Sequence, residues 1–425
     1  MVDWLGVRAS RVGLVALLSA GTVGLVPPAP PATAATPAPR STAPDTSGCP
    51  HRERPEAAAD TSEVVAPGSS TPTPPPAPSK PAGGQKMAEC GIVAEDGFVV
   101  PDILASAWIV YDLDSGEVFA TKDPHGRYRP ASVIKGLLAL EVAERLKLDD
   151  PAPVSLDSAE AEGSAVGIHP EGTYTVRDLL NGLLLASGND AAHALAQLLG
   201  GDADTLKAIN ARARSLGTQD TYAATYSGLD APGMQTSAYD LALIYQQVFS
   251  NEVLLPIFAT DHVDFPGWGD RPGYELWNDN GLLYNTEGGF AGKTGYTDDA
   301  RHTFAGAVER DGRRIAAIVL DTTVDKGRAW EQAEALIDAA YATPEGSEPV
   351  GSVRNSLKPA DGQDSVREVT SPTRDADAHS TGLGSGVVTG TLALSLTTLA
   401  VLVVAGVAFA AVSYTHLTLP TNREV

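Results

Sequence analysis

The chain has 425 residues with 53 acidic and 30 basic side chains, a formal net charge of −23 that argues against nucleic acid and anionic membrane surfaces as partners. Of its 31 prolines, 16 fall between Pro27 and Pro81, so composition separates one large folded domain from unstructured flanks.

Arg8 and Arg11 precede the uncharged run Val12 to Val26 and then Ala32-Thr33-Ala34, a pattern predicting a secretory signal over residues 1–34. Residues 35–95 lack apolar periodicity and are expected to form an extended, extracellular Pro/Ala-rich linker. Within it, Cys49 and Cys90 bracket the proline-rich segment and could pair in an oxidising compartment.

A folded domain is expected over residues 96–344. Ala105 to Leu113 and Glu117 to Thr121, separated by Asp114-Ser115-Gly116, read as a hairpin opening an antiparallel sheet. Next comes Pro130-Ala131-Ser132-Val133-Ile134-Lys135, where apolar residues begin to recur at Ile134, Leu137, Leu138, Val142 and Leu146. Ser132 and Lys135 then lie one helical turn apart on the same face. A hydroxyl beside an amine suits acyl transfer without histidine, provided the amine is neutral. At an ordinary pKa of about 10.4 the neutral form lies roughly 4.6 kcal/mol uphill at pH 7, so burial or a second cation must depress it.

Thr175 to Asp178 matches a capping box before the stripe Leu179, Leu180, Leu183 and Leu184, and that helix ends at Ser187-Gly188-Asn189. Further helices are predicted over 190–199 and 204–216 and after Ser237. Lys293-Thr294-Gly295 follows a glycine-rich turn. A second hairpin is expected over 303–309 and 313–321, and a closing helix over 326–341. No His, Cys, Asp and Glu grouping has metal-ligand spacing, so neither metal nor cofactor is expected.

Residues 345–385 read as a second, disordered linker. Residues 386–411 carry no charge and are long enough for a transmembrane helix that would tether an exported domain to the outer face of the cell membrane. Residues 412–425, containing Ser413-Tyr414-Thr415-His416-Leu417, resemble a translated sequencing adapter.

A lone S-x-x-K occurs often by chance; S-x-x-K, S-G-N and K-T-G in this order do not. From about Ser106 to Tyr341 the chain resembles D-alanyl-D-alanine carboxypeptidases, the low-molecular-mass penicillin-binding proteins of high-GC Gram-positive bacteria. The likeness includes His125-Gly126-Arg127-Tyr128-Arg129-Pro130, Ser187-Gly188-Asn189-Asp190 and Gly292-Lys293-Thr294-Gly295-Tyr296-Thr297. Val133, Gly136 and Arg301 depart from the usual residues, Arg301 standing at a usual glycine.

The resemblance implies the α/β (α+β) sandwich of the serine β-lactamase and penicillin-binding superfamily, an antiparallel sheet flanked by helices. It implies Ser132 as nucleophile, Lys135 as base, Ser187 as proton relay and Asn189 as a substrate donor. Lys293, Thr294, Gly295 and Tyr296 would line the substrate, with an oxyanion held by the N–H groups of Ser132 and Tyr296. Arg328 would bind the terminal carboxylate. The implied substrate is the peptidoglycan stem peptide and the implied inhibitors are β-lactams. A class A β-lactamase would add a deacylating glutamate, but Glu252 has Pro256 where asparagine would be expected. A catalytically silent peptidoglycan-binding protein would keep the fold alone.

Overall fold

The computed structural model describes residues 39–354 except 79 and 345. The expected signal at residues 1–34, the transmembrane helix at 386–411 and the adapter-like 412–425 lie outside the described residues, as does most of 345–385. Among the described residues no helix is long and apolar enough to cross a membrane.

In chain order the elements are β1 (Ile92–Ala94), β2 (Ala107–Asp112), β3 (Glu117–Lys122), α1 (Lys135–Arg145), α2 (Leu156–Ala159), α3 (Val176–Leu185), α4 (Asn189–Leu198), α5 (Asp202–Ser215), α6 (Ala238–Val248) and α7 (Leu255–Phe258). There follow β4 (His262–Phe265), β5 (Tyr274–Trp277), α8 (Gly281–Asn285), β6 (Gly289–Thr297), β7 (Arg301–Arg310), β8 (Arg313–Thr322), α9 (Ala329–Tyr341) and β9 (Gly351–Ser352). The main sheet is antiparallel and seven-stranded, in the order β1-β3-β2-β8-β7-β6, with β9 on β3. The hairpin β4-β5 stands apart.

Alternation along β8 explains the layers. Ile315, Ala317 and Val319 join Trp108, Phe304, Leu336 and Ile337 on the α9 side, while Ala316, Ile318 and Leu320 join Ile109, Leu137, Leu138 and Ile244 on the other. Both faces are covered, which is why β8 reads as a continuous apolar run. The two predicted hairpins, the closing helix and the Thr175–Asp178 capping box are all present.

Residues 39–94 depart from the linker expectation. They carry almost no regular structure, as their composition dictates, yet they lie against the domain as a strap. Cys49 and Cys90 form a disulfide. Arg40 bonds Asp321, Glu63 accepts from Arg129 at 2.6 Å, and the carbonyls of Glu53 and Ala82 meet Arg127 and His125 at 2.8 and 3.1 Å. Specific polar contacts and one covalent link replace the apolar stripe a sequence reading would look for. The domain boundary moves accordingly, because β1 already belongs to the sheet. At the other end β9 pairs with β3 and Val350 and Val353 are buried, so the first residues of the second expected linker are part of the fold.

Arg301 has a left-handed φ of +56°, the conformation that makes glycine usual there. Its guanidinium is held 2.5 Å from Asp321 and 3.6 Å from Glu56 of the strap. These contacts offset the backbone strain of about 1–2 kcal/mol.

Candidate active site

Ser132 sits in a 3₁₀ turn, Ala131–Ile134, that runs directly into α1. Ala131 is strained at φ +48°. Fixed contacts hold the turn: Thr303 Oγ1 donates to the Pro130 carbonyl at 2.9 Å and the Tyr245 hydroxyl to the Val133 carbonyl at 2.7 Å. Gly136 leaves space for that tyrosine ring, which a Cβ would approach to 3.2 Å.

Lys135 begins α1 and is fully buried, with Nζ 2.8 Å from Ser132 Oγ, 2.7 Å from Asn189 Oδ1 and 2.5 Å from the Ser227 carbonyl. Burial is the main cause that drives its pKa well below the usual lysine range; the charge of Lys293 adds to it, while Asp279 and Asp190 oppose it. A neutral amine has two hydrogens and one lone pair. Asn189 Oδ1 and the Ser227 carbonyl can only accept, so they take the two hydrogens and the lone pair is left facing the Ser132 hydroxyl. That is the arrangement a general base requires.

Asn189 opens α4 and is locked from the other side, its Nδ2 donating to the Glu162 carbonyl at 2.7 Å. The next residue, Asp190, is fully buried and its carboxylate accepts from the N–H groups of Val166, Gly167 and Ile168 at 3.0, 2.8 and 3.2 Å. Ser187 lies in the short connection between α3 and α4 at a left-handed φ of +59°, buried two residues before Asn189.

The opposite wall is edge strand β6. Gly295 is needed for the strand to approach the nucleophile, since a Cβ there would lie 2.9 Å from Ser132 N. Lys293 is fully buried, its pKa lowered by burial against the opposing charge of Asp279, and it donates to the Thr294 carbonyl at 2.9 Å. Tyr296 is exposed, its ring 4.7 Å from that of His302. Ser132, Lys135 and Asn189 are thus in direct contact, with Lys293, Thr294, Gly295 and Tyr296 on the adjoining strand.

Arg328 is exposed at the N-terminus of α9, where its N–H is bonded to Glu331, and no hydrogen bond of its guanidinium joins it to that cluster. Glu252 is exposed on the turn before α7. Two groups escaped the sequence reading. Asp279 Oδ2 accepts from Thr294 Oγ1 at 2.6 Å, and the Ser227 carbonyl fixes Lys135. A lone aspartate and a backbone oxygen leave no signature in a sequence. His125, Asp220 and Asp240 form a buried group, but His125 is engaged by Asp220 and Ala82, and Asp240 by the N–H groups of Gln219 and Asp220.

Residues 95–324 match the D-alanyl-D-alanine carboxypeptidase peptidase family. The chain is 40% identical over 259 residues to D-alanyl-D-alanine carboxypeptidase DacB2 of Mycobacterium tuberculosis, covering 60% of this chain and 88% of that protein. The crystal structure of a D-alanyl-D-alanine carboxypeptidase from the same organism is 42% identical, with a TM-score of 0.58 over 61% of this chain and 99% of that one. Penicillin-binding protein 6B of Escherichia coli is 28% identical, with a TM-score of 0.53 over 59% and 81% of the two chains. The sandwich fold and the match over more than half its length show that the chain belongs to the D-alanyl-D-alanine carboxypeptidase family of penicillin-binding serine hydrolases.

Proposed function

We propose that Ser132 carries the acyl group in this carboxypeptidase and that Lys135, neutral at rest, takes its proton. The observation that supports this best is the valence match at Lys135 Nζ, whose one free lone pair faces Ser132 Oγ. Ser132 Oγ attacks the carbonyl of the last peptide bond of a stem pentapeptide as its proton passes to Lys135. The N–H groups of Ser132 and Tyr296 hold the oxyanion. The C–N bond then breaks, the proton returns through Ser187 to the leaving amine, and D-alanine departs from a serine ester. Water hydrolyses that ester, and a β-lactam acylates the same oxygen.

Asn189 and Thr294 position the peptide, Lys293 supports the neutral state of Lys135, and Arg328 turns inward to the terminal carboxylate. The protein works outside the membrane, tethered by the uncharged run at residues 386–411; the Cys49–Cys90 disulfide favours an oxidising compartment. The test is a soluble domain spanning the strap to β9 incubated with a pentapeptide ending in D-Ala-D-Ala. Stoichiometric release of D-alanine, lost in Ser132→Ala, is expected; release that survives the substitution refutes the assignment.

A further inference from the structure

The hairpin β4-β5 carries a surface feature that the acylation chemistry does not use. Its register pairs His262 with Trp277 and Asp264 with Glu275 on one face, and Val263 with Leu276 and Phe265 with Tyr274 on the other. Phe265 and Leu276 are buried in the core, whereas Trp277 on the outer face is 52% exposed and the neighbouring Tyr284 is 46% exposed. The His262 ring stacks on one side of Trp277 at 4.5 Å and 19°. Tyr284 is tilted at 44° with its centroid 6.5 Å away, and its hydroxyl donates toward the carbonyls of Asp261 and Asn278. Both rings are therefore fixed in orientation while about half of each residue's surface stays in water. Trp268 on the same hairpin differs, for His169 and Arg271 lie against it at 3.9 and 4.5 Å.

We propose that Trp277 and Tyr284 form a saccharide platform, on which a pyranose ring of the glycan strand bearing the scissile peptide stacks. The inference rests on the carboxypeptidase reading. An indole presented flat offers the apolar surface that the C–H face of a sugar ring covers, and Asp261, Asp264 and Glu275 around it are acceptors for sugar hydroxyls. The same carboxylates and a net charge of −23 disfavour an anionic ligand.

The platform is linked to the wall of the catalytic cleft through Asp279. Asp279, two residues after Trp277, accepts the Thr294 hydroxyl at 2.6 Å, and its charge reaches the Tyr284 hydroxyl, whose pKa is raised by burial and then by Asp261 and Asp279. Two extended residues span about 7 Å, and the four stem residues between glycan and scissile carbonyl span up to about 14 Å, so one substrate can reach both places.

The experiment compares kcat/KM for a disaccharide-pentapeptide with that for the free pentapeptide. The parent enzyme should prefer the glycan-linked substrate by about tenfold. Trp277→Ala should bring the ratio close to one and Trp277→Phe should keep part of it. A parent ratio of one, or a ratio unchanged in Trp277→Ala, overturns the proposal. Titrating Ser132→Ala protein with tetra-N-acetylchitotetraose reads the platform without turnover, and binding should weaken several-fold when Trp277→Ala is added. Absence of D-alanine from both substrates would instead sink the carboxypeptidase reading and leave this titration to decide the platform. Binding of an oligolysine peptide that displaces the sugar, at equal or higher affinity, would assign the face to a basic protein and also overturn the proposal.

Discussion

Replacing both Cys49 and Cys90 by serine should loosen the strap and cost the fold more than any single contact within it. The bridge closes a loop with a sequence separation of 41, for which the chain-entropy relation gives about 4 kcal/mol at 25 °C. That is an upper value, since Arg129–Glu63, Arg127 with the Glu53 carbonyl and His125 with the Ala82 carbonyl still bind the strap after the bond is gone. A net loss of about 2–4 kcal/mol is expected, lowering Tm by about 3–6 °C in a domain of this size. Calorimetry gives Tm, and hydrogen exchange gives protection of the Ala59 and Ala82 amides, which donate to Asp299 and Gln219. If Tm stays within a degree and both amides exchange as slowly as in the parent, the strap is held by its polar contacts and the reasoning fails.

Gly295→Ala should lower the second-order rate of acylation by benzylpenicillin by about 100-fold or more, because its Cβ forces β6 away from Ser132 N; stopped-flow kinetics with an unchanged circular dichroism spectrum would check this. Asp279→Asn removes a negative charge that raises the pKa of Lys135 and Lys293. The amine then loses its proton at lower pH, so the acidic limb of the kcat/KM profile for a C-terminally amidated peptide should move to lower pH; a limb that stays in place or moves up would contradict this. Arg328→Ala should lower kcat/KM for D-Ala-D-Ala peptides by roughly 30- to several-thousand-fold, the equivalent of about 2–5 kcal/mol for an unpaired carboxylate. Amidating the peptide's C-terminus should cost the parent enzyme as much and the variant little more; losses that add in full would place Arg328 outside the site.

The parts legible in the sequence are those whose chemistry needs several side chains in fixed order. Ser132, Lys135, Asn189 and Lys293 each belong to a short string, and the elements carrying them have caps and apolar periods that survive packing. Asp279 and the Ser227 carbonyl were not legible, because their meaning arises only when the loops before α8 and α6 fold against Thr294 and Lys135. The strap was misread for a related reason: proline and small polar residues forecast the lack of regular structure correctly, but cannot reveal that Arg127, Arg129 and His125 supply partners for it. The β4-β5 hairpin was passed over since strands of four residues give too short an alternation to separate from a loop.

Intact-mass measurement after brief exposure to benzylpenicillin tests the central assignment most directly. The parent domain should gain one drug equivalent, peptide mapping should place it on Ser132, and Ser132→Ala should gain none. Adduct formation at full stoichiometry in Ser132→Ala, or an adduct mapped to Ser187, would contradict the assignment of Ser132 as the nucleophile.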